Sequence, residues 1–145
     1  MYEAIQIVHS YWAYLVVLVV TLATFNALIG FFTKREYAPK DFRISLFALI
    51  VTHIQLLIGI VIFFVSPTIM WFKDVPVKDI MGDPLVRLYN VEHPFTMILV
   101  VTLITIGYSK HKKKLTSTPK FKMLAIFYTI AFAAMLYMIP WANWF

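Results

Sequence analysis

The sequence predicts an all-α membrane protein, an up-down bundle of four transmembrane helices with both termini on the outer side. Three observations predict it. The chain has 145 residues, of which 61% are hydrophobic and 14% charged; a soluble domain holds about 45–50% apolar and about 25% charged residues. Four apolar runs cover residues 5–32, 44–65, 91–108 and 123–141, each long enough for a hydrocarbon core of about 30 Å at about 1.5 Å per residue. The basic residues segregate: ten of the thirteen Lys and Arg lie in the first and third connections. Absence of cysteine excludes disulfide scaffolds, iron–sulfur clusters and blue copper.

The first run opens without a basic n-region and is followed by no small-x-small site, so it reads as a span rather than a cleavable signal. The connection after it carries Lys34, Arg35, Lys40 and Arg43, and the third carries Lys110, Lys112, Lys113, Lys114, Lys120 and Lys122. Positive charge marks the cytoplasmic side. These connections are therefore expected inside, in a bacterial inner membrane with periplasmic termini. The net charge of +6 then reports topology rather than a nucleic-acid partner. Trp12, Trp71, Trp141 and Trp144 fall at the outer interface in this arrangement.

The second span ends at Pro67. An outer loop over residues 66–90 follows, with a short interfacial helix expected over 84–90, because Asp83-Pro84 reads as an N-cap with Pro at N1. Pro94 suits the first turn of the third span, and Pro140 closes the fourth. No repeat or second domain is visible, so residues 1–145 form one domain.

Polar residues in a bilayer are costly and mark candidate functional groups. Here they are few: His9, Asn26, His53, Gln55 and His93. Asn26 reads as an interhelical hydrogen-bond partner. No Asp or Glu lies in a span core, which argues against a carboxylate-based pump or exchanger.

His9 and His93 both lie near the outer ends of spans that run inward, so they are expected at similar depth on diagonal helices. Bundle cores recur as cofactor sites, and neutral imidazole is a good axial ligand for haem iron. Two such ligands predict a six-coordinate, low-spin electron-transfer haem, with Met97, one turn below His93, as a substitute ligand. His53 falls near the midplane, as a substitute ligand, a buried polar group behind the first ligands, or a quinone contact. Gln55 points about 200° away around the same helix, at about 100° per residue. Gly59 permits close approach of a ring. Arg87 is the expected partner of a haem propionate, with Asp83 as its alternative partner. His111, in Lys110-His111-Lys112-Lys113-Lys114, reads as part of a solvated charge run.

Several segments resemble the small four-span membrane proteins of Bacteroidetes-type bacteria commonly labelled cytochrome b. They are Val8-His9-Ser10, Thr52-His53-Ile54-Gln55-Leu56-Leu57-Ile58-Gly59, Glu92-His93-Pro94, Ile104-Thr105-Ile106-Gly107-Tyr108-Ser109-Lys110 and Ile139-Pro140-Trp141. The resemblance covers essentially the whole chain. It implies haem b bound by histidines and carries over His9, His53 and His93 without selecting two of them. Proteins of this kind also serve as accessory subunits of larger membrane complexes.

Two expectations therefore compete. One is a b-type cytochrome passing single electrons near the outer face, an electron carrier or subunit rather than a stand-alone enzyme. The other is a cofactor-free structural or accessory subunit of an inner-membrane complex. A small transporter is less compatible, because inverted repeats and interrupted spans are absent.

Overall fold

The computed structural model describes residues 1–144, with Asn143 and Trp144 as backbone only, so the interface position expected for the Trp144 ring lies outside the described residues. The elements are α1 (Tyr2–Phe32), α2 (Pro39–Val65), α3 (Val77–Gly82), α4 (Pro84–Arg87), α5 (His93–Lys112), α6 (Ser117–Met138) and α7 (Trp141–Trp144). Among the described residues there is no strand. Four helices are long and apolar enough to cross a membrane: Tyr2–Phe32, Pro39–Val65, Pro84–Lys112 and Ser117–Met138.

The third span is longer than the sequence predicts. No separate interfacial helix covers 84–90. Instead α4 passes into a π-helical segment, Leu88–Glu92, and on into α5 without a break. Asp83 caps α4 as expected, its carboxylate accepting from the backbone N–H of Leu85 and Val86 at 3.0 and 3.2 Å. Pro94 lacks an N–H, and the wider turn before it absorbs that loss: the His93 N–H reaches back to the Leu88 carbonyl. Such π-turns inside α-helices frequently occur at functional sites. The loop also carries α3, which hydropathy alone does not reveal.

The helices pack α1 on α2, α2 on α5, α5 on α6 and α6 on α1. Their shared core is lined by Val16, Val20, Ala23, Ala27, Ala48, Val51, Ile104, Leu124 and Tyr128, among others. Its alanines let backbones approach closely, since lipid tails are as apolar as leucine and association depends on packing rather than on the hydrophobic effect. Large side chains such as Leu18, Leu22, Phe47, Leu57 and Ile130 point outward and are exposed in the isolated chain. Helices apolar on every side suit a lipid surround.

Two glycines set the tightest contacts. A Cβ built on Gly30 would lie 2.5 Å from Phe121 Cε1, and one on Gly107 would lie 2.5 Å from Phe127 Cβ.

The basic end is tied by a polar knot. Helix α1 stops in a Schellman turn: the Lys34 N–H bonds the Phe31 carbonyl and the Arg35 N–H bonds the Gly30 carbonyl. Lys34 takes the left-handed conformation (φ 54°) usually left to glycine. The chain reversal turns Arg35 back to the buried Asp41 at 2.7 Å. Asn26 donates to Asp41 at 2.9 Å and accepts from Arg35 at 2.8 Å, joining α1 to α2 as expected. Asp41 also accepts the Ala38 N–H at 2.8 Å.

His111 overturns its expectation. It is fully buried rather than solvated. It sits where Phe42, Tyr37 and Tyr108 converge, with ring centres 5.2–6.3 Å away. Its Nδ1 faces the Tyr108 carbonyl at 2.6 Å, and a carbonyl only accepts, so Nδ1 carries hydrogen. In the neutral ring, Nε2 then accepts from the Tyr37 hydroxyl at 2.8 Å. Burial pushes the Tyr37 phenol up to about 12, so it remains a donor at neutral pH. The lysines flanking His111 hid this from the sequence.

Gly107→Ala forces Phe127 Cβ to move, and Cβ is fixed to the α6 backbone. The substitution is expected to destabilise the fold by about 1–3 kcal/mol. Reversible unfolding in mixed micelles measures it, and a loss below about 0.5 kcal/mol, the size of an uneventful surface change, would contradict the close α5–α6 approach.

Candidate functional site

At the end opposite the polar knot the packing opens. A cavity of about 720 Å³ lies between α1, α2, α5 and α6, and its lining includes His9, Gln55, Gly59, His93, Met97 and Met135. Small-molecule and cofactor pockets span roughly 300–1,000 Å³ and are mostly apolar with a few placed polar groups. This one has that character.

Its roof is the connection after α2, and Asn90 holds the roof in place. Asn90 is buried on the π-turn. Its Oδ1 accepts the Met70 N–H at 2.6 Å. Its Nδ2 donates to the Thr68 and Val86 carbonyls at 3.1 and 2.8 Å. Its own carbonyl accepts from the Trp71 indole at 2.9 Å. Asn90 is absent from the residues singled out in the sequence, because its partners lie about twenty positions away along the chain.

His9 and His93 come together inside the cavity. Their ring centres are 6.4 Å apart and their planes are inclined at 83°. A metal bound by one nitrogen of each ring at about 2.0–2.1 Å, with each ring centre about 1.1 Å behind its nitrogen, would separate the centres by about 6.3 Å. The observed ring-centre separation is close to that value.

The hydrogen bonding assigns one ring. His93 Nδ1 faces the Met138 carbonyl at 3.0 Å, so it carries the hydrogen and Nε2 keeps the lone pair. A bond of this kind from the second nitrogen to a carbonyl fixes the tautomer and orientation of metal-ligating histidines. The π-turn immediately before His93 sets the direction of that side chain. His9 Nδ1 is buried without a hydrogen-bond partner. Gln55 reaches across from α2, its Nε2 donating to the His9 carbonyl at 2.8 Å, while its Oε1 is buried and unpaired. Gly59, one turn further along α2, faces the same ring: a Cβ there would lie 3.5 Å from His9 Cε1.

Two sequence candidates do not join them. His53 is exposed on the outer surface of α2. Its Nδ1 bonds the Leu49 carbonyl at 2.8 Å and its Nε2 lies 3.4 Å from the Thr105 hydroxyl. The angular offset between positions 53 and 55 decides this: Gln55 lines the cavity and His53 does not. Arg87 is also turned elsewhere. Its guanidinium donates to the Met81 carbonyl at 2.7 Å, near the free C-terminal end of α3, and lies 3.6 Å from Glu92. Its alternative partner, Asp83, is occupied by the α4 cap.

The donor set limits what could bind. Among the described residues no group of three or more His, Cys, Asp and Glu could hold a metal ion. Two imidazoles alone make a poor cage for a bare ion, since protein metal sites use three or four side-chain ligands. A haem brings its own four nitrogens and asks the protein only for axial ligands. The mostly apolar cavity and the two imidazoles fit that group.

Replacing Asn90 by leucine removes the acceptor of the Met70 N–H and the donor to the Thr68 and Val86 carbonyls, at about 1–3 kcal/mol for each buried group left unpaired. The expected result is faster amide exchange over residues 66–76, with α6 unchanged; uniform protection in both would show that Asn90 does not hold the roof. Comparison with protein-family models, with curated proteins and with solved structures finds no match for this chain.

Proposed function

We propose that this chain is a b-type cytochrome-like membrane protein that holds haem b between His9 and His93 and passes single electrons. The observation that carries the reading is the 6.4 Å separation of the two imidazoles at the head of an apolar cavity. The haem supplies a reversible one-electron iron couple.

The protein's own groups do the rest. His9 and His93 offer one nitrogen each from different helices, α1 and α5, so the site exists only when the bundle is assembled. The Met138 carbonyl holds the His93 ring and raises its basicity as a ligand. If both His9 and His93 ligated the iron, a bound haem would serve electron transfer rather than oxygen chemistry. Met97 lines the cavity beside them; a thioether is a softer ligand and the two rings already match in spacing, so it packs against the site. The apolar walls keep water away and lower the local dielectric, which strengthens the influence of each remaining polar group on the potential.

Sidedness follows from charge. The four spans form an up-down bundle in a bacterial inner membrane, with the lysine-rich connections in the cytoplasm and both termini in the periplasm. The histidine end then lies near the outer face. A membrane-soluble carrier of the quinol class is a suitable electron donor there, and the outer acceptor is a redox partner or a larger membrane complex in which this chain is a subunit.

Protein purified after expression with haem supplied is expected to give one haem b per chain in a pyridine haemochrome assay, with a Soret band and sharp reduced α and β bands. His9→Ala and His93→Ala are each expected to abolish the bands, while His53→Ala keeps them. A colourless wild-type protein with full helicity would overturn the reading in favour of a cofactor-free structural or accessory subunit.

A further inference from the structure

The two histidines differ in one respect. His93 has an acceptor for its second nitrogen and His9 does not: His9 Nδ1 is buried with no partner. Once Nε2 of His9 is used by a ligand, Nδ1 must carry hydrogen, and a buried N–H without an acceptor is costly. One unpaired buried acceptor belongs to a side chain already bonded to the same residue. It is Gln55 Oε1, whose amide nitrogen donates to the His9 carbonyl at 2.8 Å.

The two unpaired atoms are complementary in kind, a nitrogen that would carry hydrogen and an oxygen that accepts it, on residues joined by the Gln55–His9 carbonyl bond. They are also held by different helices, α1 and α2, tied together by the Gln55 bond. Gly59 leaves room for the His9 ring to adjust, since even an added Cβ there would meet only ordinary contact at 3.5 Å.

We propose that Gln55 is the positioning residue for His9, its Oε1 accepting the His9 Nδ1–H in the ligand-bound protein. This inference rests on the haem reading. Gln55 would then do for His9 what the Met138 carbonyl does for His93: fix the tautomer, aim the ring and raise its donor strength. Ligating histidines almost always donate their second N–H to a carboxylate, a carbonyl or water, and loss of that partner costs about 10–100-fold in metal affinity.

Haem affinity and reduction midpoint are measured on wild-type protein, Gln55→Leu and Gln55→Glu in the same detergent, with helicity recorded for each. Both variants lose the amide donor to the His9 carbonyl, so the contrast between them isolates the acceptor. Gln55→Leu is expected to weaken haem binding about 10–100-fold and to raise the midpoint, because His9 becomes a poorer donor to ferric iron. Gln55→Glu keeps an acceptor and is expected to hold haem as wild type does, with a midpoint at or below the wild-type value. Leu and Glu variants that both match wild type, or that shift the midpoint in the same direction, would overturn the role of Gln55 and leave the haem reading standing. A wild-type protein that takes up no haem overturns both. A Leu variant with lost helicity beside a helical Glu variant that binds as wild type still supports the acceptor role.

Discussion

A bilayer core offers no water to a polar atom, so every buried donor and acceptor in this chain must find its partner within the protein. That constraint organises the molecule from one end to the other. At the basic end the groups close on each other: Arg35, Asp41 and Asn26 form one set, Tyr37, His111 and the Tyr108 carbonyl another. At the other end Asn90 satisfies the loop and the Met138 carbonyl satisfies one histidine. Four buried polar atoms stay unpaired among the described residues, Arg35 Nε, Thr129 Oγ1, His9 Nδ1 and Gln55 Oε1, and the last two belong to residues that line the cavity.

The same constraint explains which histidine does what. The four histidines occupy three environments. His111 is sealed and saturated, a structural group that joins α5 to the Tyr37 turn. His53 bonds its own helix and a neighbouring threonine at the outer surface of α2. His9 and His93 meet edge to face in the lining of the apolar cavity. Position on the helix, more than residue type, separates the structural roles from the chemical one.

Much of the fold was legible from hydropathy because lipid imposes a simple rule on length and composition. Each of the four apolar runs falls on one long apolar helix, the third beginning seven residues earlier than expected, and the Asp83-Pro84 cap stands where local chemistry puts it. The approach of His9 to His93 was legible as well, since each lies a similar number of residues from the start of its apolar helix. The rest depends on contacts distant in sequence. His111 looks solvated among lysines until Phe42 and Tyr37 fold over it. Asn90 gains its role only from Thr68, Met70 and Trp71. The π-turn is a compromise between Pro94 and helix continuity, which no pattern of hydropathy records. Arg87 meets both Glu92 and the Met81 carbonyl, and the carbonyl is supplied by α3, which hydropathy does not reveal.

The central claim is that His9 and His93 hold one iron between them. Low-temperature electron paramagnetic resonance of the oxidised, haem-loaded protein tests it most directly. The account predicts a low-spin ferric signal of two axial imidazoles, lost when either histidine becomes alanine. A high-spin five-coordinate signal in the wild type, or a low-spin signal that survives the loss of both histidines, would contradict it.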